Sequence, residues 1–294
     1  MTIRQWLYFL FLSLVWGSSF LWIKLAVREI GPFKVVSIRM AFAVVVLFVI
    51  LKVKRTEAPR TWKMRGILLL QGLLSAAVPW VLITWAEQHI DSAVATILNG
   101  TVPMFTMIIA HIFVNDDRLT RRKFFGLLLG FAGVVVIVQN NIFQGNGNGS
   151  ASQMLLLGQG AVLMAAVLYA VSNVYARIKL HSVTPVFQAF YTLLFGGTVL
   201  WAVTPIVESP IVLPAKPITW IAIAWLGILG AAVSYIVYYK LLHEIGPTRV
   251  SLVTYTLPVV GVTLGIVLLK EPLSWSLVAG TLLIILGVWG VNRN

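Results

Sequence analysis

"GLLSAAVPWVLITWAEQHI" (residues 72–90) and "GILGAAVSYIVYYKLLHEI" (residues 227–245) are two versions of one apolar segment. At an offset of 155, Gly72 falls on Gly227, Ala76 and Ala77 on Ala231 and Ala232, Val78 on Val233, and Ile90 on Ile245. The same offset carries Thr101 and Pro103 onto Thr256 and Pro258. One residue fewer lays "DRLTRRKFFGLLLGFAGV" on "EPLSWSLVAGTLLIILGV", pairing Leu119 with Leu273, Gly126 with Gly280 and Gly133 with Gly287. Nearer the front, "WGSSFLWIK" overlies "YAVSNVYAR" at an offset of 153, joining Ser19 to Ser172, Lys24 to Arg177 and Pro32 to Pro185. Leu and Val coincide readily in any apolar sequence, so the glycines, prolines and loop residues carry the weight. They recur in order across five apolar runs, which marks an internal duplication.

Composition sets the solvent. With 59% hydrophobic and 11% charged residues and a mean hydropathy of +0.93, the chain has too little polar surface to coat a water-soluble globule. A spanning helix needs about 20 apolar residues, because a rise of about 1.5 Å per residue must cross about 30 Å of hydrocarbon. Such runs are expected at 6–26, 33–51, 64–86, 92–114, 122–140, 154–176, 185–206, 218–241, 247–269 and 273–291. They lack the alternation of a membrane barrel. The first continues past signal-peptide length without a small-x-small cleavage site, so it reads as a retained helix. The expected fold is an all-α membrane protein of ten transmembrane helices, in two five-helix repeats around a central cavity: 1–141, an external linker 142–153, and 154–294.

The formal charge of +13 raises nucleic acid as a partner, but the basic residues sit in loops between apolar runs. Lys52, Lys54, Arg55, Arg60, Lys63 and Arg65 form one group, and Arg118, Arg121, Arg122 and Lys123 another. By the positive-inside rule both loops, and with them both termini, are expected in the cytoplasm. "EQHIDS" and "NNIFQGNGNGSASQ" carry no Lys or Arg and belong outside. Five spans are an odd number, so the second repeat is expected to lie inverted. The charges agree: the counterpart of the basic loop, 207–217, holds only Lys216, and "KEPLSW" holds only Lys270 where "RLTRRK" is strongly basic. Lys24, Arg28 and Lys34 fall on the outer side against this trend, where snorkelling accounts for them. The absence of cysteine excludes disulfides and thiolate chemistry.

Inverted repeats recur in secondary transporters, with the substrate site where the copies meet. "WGSSFLWIK", "ILNGTVPMFTMI", "RLTRRKFFGLLLGFAGVVVI" and "KEPLSWSLVAGTLLIILGVWGV" together resemble the EamA family of the drug/metabolite transporter superfamily, over nearly the whole chain. One departure is "DRL" (Asp117 to Leu119) where the family usually has Glu-Pro-Leu. The resemblance implies export of small metabolites, amino acids or related compounds, through a central cavity of an inner-membrane protein. It implies no cofactor or metal, and a monomer or homodimer with lipid and a small-molecule substrate as its partners.

Residues that open a helix in hydrocarbon are tolerated where protein or cavity water satisfies the freed groups. Asn99, Gly100 and Pro103 are therefore expected to face inward. Asn99 and its counterpart Thr254 become candidate substrate-binding groups, with Thr96 and Ser251 nearby on the same face; Pro103 and Pro258 equally suit helices kinked for packing. Trp80 matches Tyr235, each followed four residues on by a hydroxyl, Thr84 or Tyr239. Trp16 matches Tyr169; spacings of three and four put Trp16 with Ser19, and Tyr169 with Ser172 and Asn173, on shared faces. Such a lining suits a small zwitterion with an apolar side chain. An intramembrane charge is expensive and so carries a functional hypothesis. Arg39 is the clearest, as a carboxylate ligand or a clasp on helix-end carbonyls. His111 reads as a packing histidine or a proton site deep in its helix, and Glu87 and Glu244 as helix-end acids within reach of water.

A membrane enzyme would be the alternative from another class. The chain has no H-E-x-x-H, no G-x-S-x-G and no helix collecting metal ligands. Among transporters, an antiporter of nucleotide sugars or sugar phosphates would need several cavity cations.

Overall fold

The computed structural model describes residues 1–53, 61–90, 92–115, 119–142, 150–260 and 275–292, with backbone alone at 93, 137–142, 150–152 and 277. Residues 54–60 of the basic loop, Asp117 and Arg118 of "DRL", most of the external linker and "KEPLS" lie outside the described residues, as do parts of the expected runs 247–269 and 273–291.

The apolar runs fold as helices. These are α1 (Ile3–Val27), α2 (Pro32–Val53), and α3, which runs Trp62–Gly72, Leu73–Ala77 and Val78–Ala86. Next come α4 in two pieces (Ser92–Asn99 and Val102–Phe113), α5 (Arg121–Ile142), α6 (Ser150–Lys179) and α7 (Pro185–Val207). Then α8 runs Pro217–Gly227, Ile228–Val233 and Ser234–Ile245; α9 begins as Pro247–Ser251 and resumes at 253–260; α10 is Trp275–Asn292. Prolines at the starts of α2, α7, α8 and α9 sit where a missing N–H does no harm. The Thr2 hydroxyl caps α1 by accepting from Gln5 N, and the Gln5 side chain returns the bond. Among the described residues there is no strand, and α1, α2, α3, α4, α6, α7 and α8 contain segments long and apolar enough to cross a membrane.

Two helices are locally unwound at matching places. Leu73–Ala77 in α3 and Ile228–Val233 in α8 are π segments, and each releases one carbonyl. In α3 the N–H of Val78 bonds Leu73 O, five residues back, and Pro79 has no N–H to give Ser75 O. In α8 the N–H of Ser234 reaches Leu229 O, again five back, which takes it from Gly230 O. Both freed carbonyls find an aromatic donor from a distant part of the chain: Tyr235 Oη–H donates to Ser75 O, and Trp16 Nε1–H donates to Gly230 O at 2.9 Å.

Close backbone approach explains the paired glycines. A Cβ on Gly72 would strike the backbone of Thr192 and Gly196 in α7. One on Gly126 of α5 would meet Gly287 O of α10 at 2.9 Å. Small residues let helices pack where lipid gives no hydrophobic push.

The helix ends are tied by charge. Lys24 Nζ donates to Glu87 O at 2.8 Å and Ile90 O at 3.2 Å, so this cation closes the C-terminus of α3 rather than snorkelling. Its repeat counterpart Arg177 donates to His243 O at 2.5 Å near the C-terminus of α8. At the Lys24 end of the bundle, Glu208 accepts from Phe33 N and Lys34 N at the start of α2 (2.9 and 3.0 Å). Glu29 accepts from Ala215 N, Lys216 N and the Thr219 hydroxyl at the start of α8. At the other end, Arg4 pairs with Glu244 at 3.3 Å and Lys240 donates to the Tyr8 hydroxyl at 3.0 Å.

Candidate functional site

The two π segments flank a cavity of about 110 Å³ between α1, α2, α3, α4, α6, α8 and α9. A water needs about 10–15 Å³ of such space, so several waters or a small organic guest fit. Both halves of the chain line it.

Nine of the twelve expected site residues meet at its wall: Trp16, Ser19, Arg39, Trp80, Asn99, Tyr169, Asn173, Tyr235 and Thr254. The structure does not bring the other three to the cavity. Thr84 is buried with its hydroxyl unpartnered, Thr96 donates to Ser92 O at 2.6 Å, and the Tyr239 hydroxyl accepts from Gln71 Nε2 at 3.3 Å. The helical period gives the reason. Ile83 and Tyr238, three residues after Trp80 and Tyr235, line the cavity, whereas Thr84 and Tyr239, four residues after, are turned to the neighbouring helices. Tyr238 is thus the main lining residue that the repeat comparison missed. Its i+3 spacing from Tyr235 was the available signal. Ser75 also lines the site, and it follows from the position of the π segment alone.

Most hydroxyl and indole donors in the wall are already committed to protein. Ser19 donates to Val15 O, Ser172 to Tyr169 O, Ser251 to Thr248 O and Thr254 to Ser251 O. Tyr238 donates to Asn173 Oδ1. What these residues offer a guest is ring face, with Trp16 and Tyr238 centroids 5.3 Å apart and Trp80 edge-on to Tyr235 at 5.5 Å.

Arg39 differs from the rest. Its guanidinium carbon lies 3.7 Å from the centroid of the Trp80 ring, a cation–π contact, and its Nε is buried without a hydrogen-bond partner. Among the described residues it clasps no helix-end carbonyl. Asn99, at the end of the first piece of α4, leaves its Oδ1 unpartnered at 5% exposure. The break at Gly100 and Thr101 is what turns Asn99 to the cavity, and the second piece of α4 restarts with Pro103 in its first turn. In α9 the interruption comes at Leu252, so the two breaks are not in the same register.

Two expectations about titratable groups are corrected. His111 is not deep in its helix: it is exposed near the end of α4, where Nδ1 accepts from Leu119 N at 3.3 Å. Glu87 does not reach water; it is fully buried, with one oxygen accepting from the Ser92 hydroxyl and the other unpartnered.

Among the described residues, a helical bundle with apolar spans and a central aromatic cavity has the architecture of a multi-pass membrane protein. The model of the EamA-like transporter family matches residues 4–139 and again 156–293, and the chain belongs to this family. Similar proteins include an "Uncharacterized transporter" of Archaeoglobus fulgidus, 26% identical with 99% of each chain covered. Another is the "Uncharacterized transporter YoaV" of Bacillus subtilis, 24% identical over 94% of this chain and 92% of that one. The "Uncharacterized inner membrane transporter YedA" of Escherichia coli is 25% identical over 90% and 82%. A solved structure titled "Crystal structure of protein" superposes with a TM-score of 0.79 at 20% identity, covering 99% of this chain and 97% of that one, which shows a shared fold.

Proposed function

We propose that the protein is a secondary transporter that exports small metabolites, amino acids or related compounds, from the cytoplasm across the inner membrane. It works by alternating access between two inverted five-helix repeats, 1–141 and 154–294, joined by an external linker, with ten spans and both termini cytoplasmic. The observation that carries this reading is the cavity itself, walled by both halves and holding a buried arginine and an unpartnered asparagine oxygen among aromatic rings.

Three further features support it. The family model matches twice, once per proposed repeat. The π segments recur at the offset of the sequence repeat. The equivalent cations Lys24 and Arg177 close helices at opposite ends of the bundle, as inverted copies require. A phosphate-bearing substrate is disfavoured because Arg39 is the only charged residue among the described lining.

Counterflow of labelled amino acids in proteoliposomes tests the reading directly. Trp80→Ala and Asn99→Ala should each lower transport while the protein stays folded, and unchanged rates in both would remove the site assignment. Reporter fusions that put equivalent loops of the two repeats on one side of the membrane would remove the inverted topology.

A further inference from the structure

We infer that the cavity recognises its substrate through a carboxylate held by Arg39 on an apolar body, and that an amino group on that substrate is dispensable. This deepens the transport reading and rests on it.

Three observations lead there. First, the lining is electrostatically one-sided: Arg39 is its sole charged residue among the described ones, and no Asp or Glu faces it across the cavity. A buried guanidinium without a counter-charge is expensive, and a planar anion able to accept two parallel N–H bonds relieves it best. Second, Arg39 is held in place for such a role. Its guanidinium carbon lies 3.7 Å from the Trp80 ring centroid, a cation–π contact that uses none of its N–H groups in a conventional hydrogen bond. Nε lacks a partner although it is buried.

Third, an ammonium group finds no counter-charge among the described lining residues. It needs up to three acceptors. Asn99 Oδ1 is a buried acceptor without a partner, and the hydroxyl oxygens of Ser19, Ser172, Ser251 and Thr254 keep lone pairs after donating. All of these are neutral, and none supplies the negative charge that would balance an ammonium. Ring faces offer a cation about 0.5–2 kcal/mol, but Arg39 stands among the same rings and repels a second positive charge. The site therefore asks for one carboxylate, offers neutral acceptors but no counter-charge for an ammonium, and supplies aromatic walls for the remainder. Amino acids satisfy it through their carboxylate; their deaminated and hydroxy-acid relatives satisfy it equally.

A matched trio separates the groups: phenylalanine, 3-phenylpropanoate, which keeps the carboxylate, and phenethylamine, which keeps the ammonium. Thermal stabilisation of the purified protein in detergent reads binding, and competition in the counterflow assay reads use of the transport site. The expected result is stabilisation and competition by the two carboxylates and neither by the amine. Arg39→Gln should weaken carboxylate binding about ten- to hundredfold, the loss of a hydrogen bond to a charged group in a dry site, with partial recovery in Arg39→Lys. If the amine binds as well as the acids, or if Arg39→Gln binds them unchanged, the inference is overturned while transport stands. If carboxylates bind but no compound moves in counterflow, the transport reading fails and the carboxylate site survives. The comparison of ligands on the unaltered protein decides the matter even if the Arg39 variants do not fold.

Discussion

The π segments of α3 and α8 look alike and arise differently. In α3 the cause is local: Pro79 cannot donate to Ser75 O, so the helix must shift its bonding there whatever surrounds it. In α8 the equivalent residue is Ser234, which has an N–H, yet spends it on Leu229 O. Nothing in the local sequence of α8 demands that choice. Tertiary contacts do, since Trp16 bonds the freed Gly230 O, and Gly227 lies so close to α2 that a Cβ would meet Arg39 O at 2.7 Å. One half shifts its bonding because a proline lacks the N–H, the other because its neighbours hold the shifted bonding in place. Both π segments present a carbonyl to an aromatic donor beside the cavity, and this is how two unequal sequences build one wall.

The comparison can be broken at several strengths. The largest effect is expected from Gly72→Leu and Gly227→Leu, which drive a side chain into packed backbone; overpacking of this kind costs about 1–3 kcal/mol or more. Size-exclusion profiles should show less folded protein, and more severely for Gly72, whose nearest neighbours are all backbone. Next comes Tyr235→Phe, which leaves Ser75 O without a donor and should lower stability in thermal melts by about 1–3 kcal/mol. In a Pro79→Ala background the loss should shrink, because residue 79 regains an N–H. A loss of equal size in both backgrounds would mean that proline is not what isolates the carbonyl. Lys24→Met removes the closure of the α3 C-terminus and should cost about 0.3–2 kcal/mol.

The smallest effect concerns Glu29. The hydrogen bond from Thr219, with those from Lys216 N and Ala215 N, holds its carboxyl below the ordinary value of 4.5. A depressed value means that the contribution to stability is present above the ordinary carboxylate range and fades as pH falls through the lowered value. Melting curves of the unaltered protein should therefore lose more on acidification than those of Glu29→Gln.

Much of the site was legible because repeat pairing and helical spacing are both properties of the chain. Trp80 with Tyr235 and Trp16 with Tyr169 were found by pairing, and Ser19 and Asn173 by sharing a face with an aromatic. Pairing is a poor guide at the next turn: Thr84 and Tyr239 match each other and both turn away from the cavity, whereas Tyr238 matches an isoleucine, Ile83, so pairing does not mark it. Chemistry alone could not place Arg39 either. A carbonyl clasp and an anion site demand the same side chain, and the sequence does not show that the guanidinium rests against Trp80.

By itself the sequence determined the solvent, the helical class, the duplication and the family, since these follow from hydropathy and recurring residue types that no neighbour can alter. The tertiary structure decided which face of each helix lines the cavity, why α8 unwinds without a proline, and which carbonyls Lys24 bonds. Those outcomes depend on groups distant in the chain completing one another's unmet hydrogen bonds, and a linear pattern does not record which partner arrives.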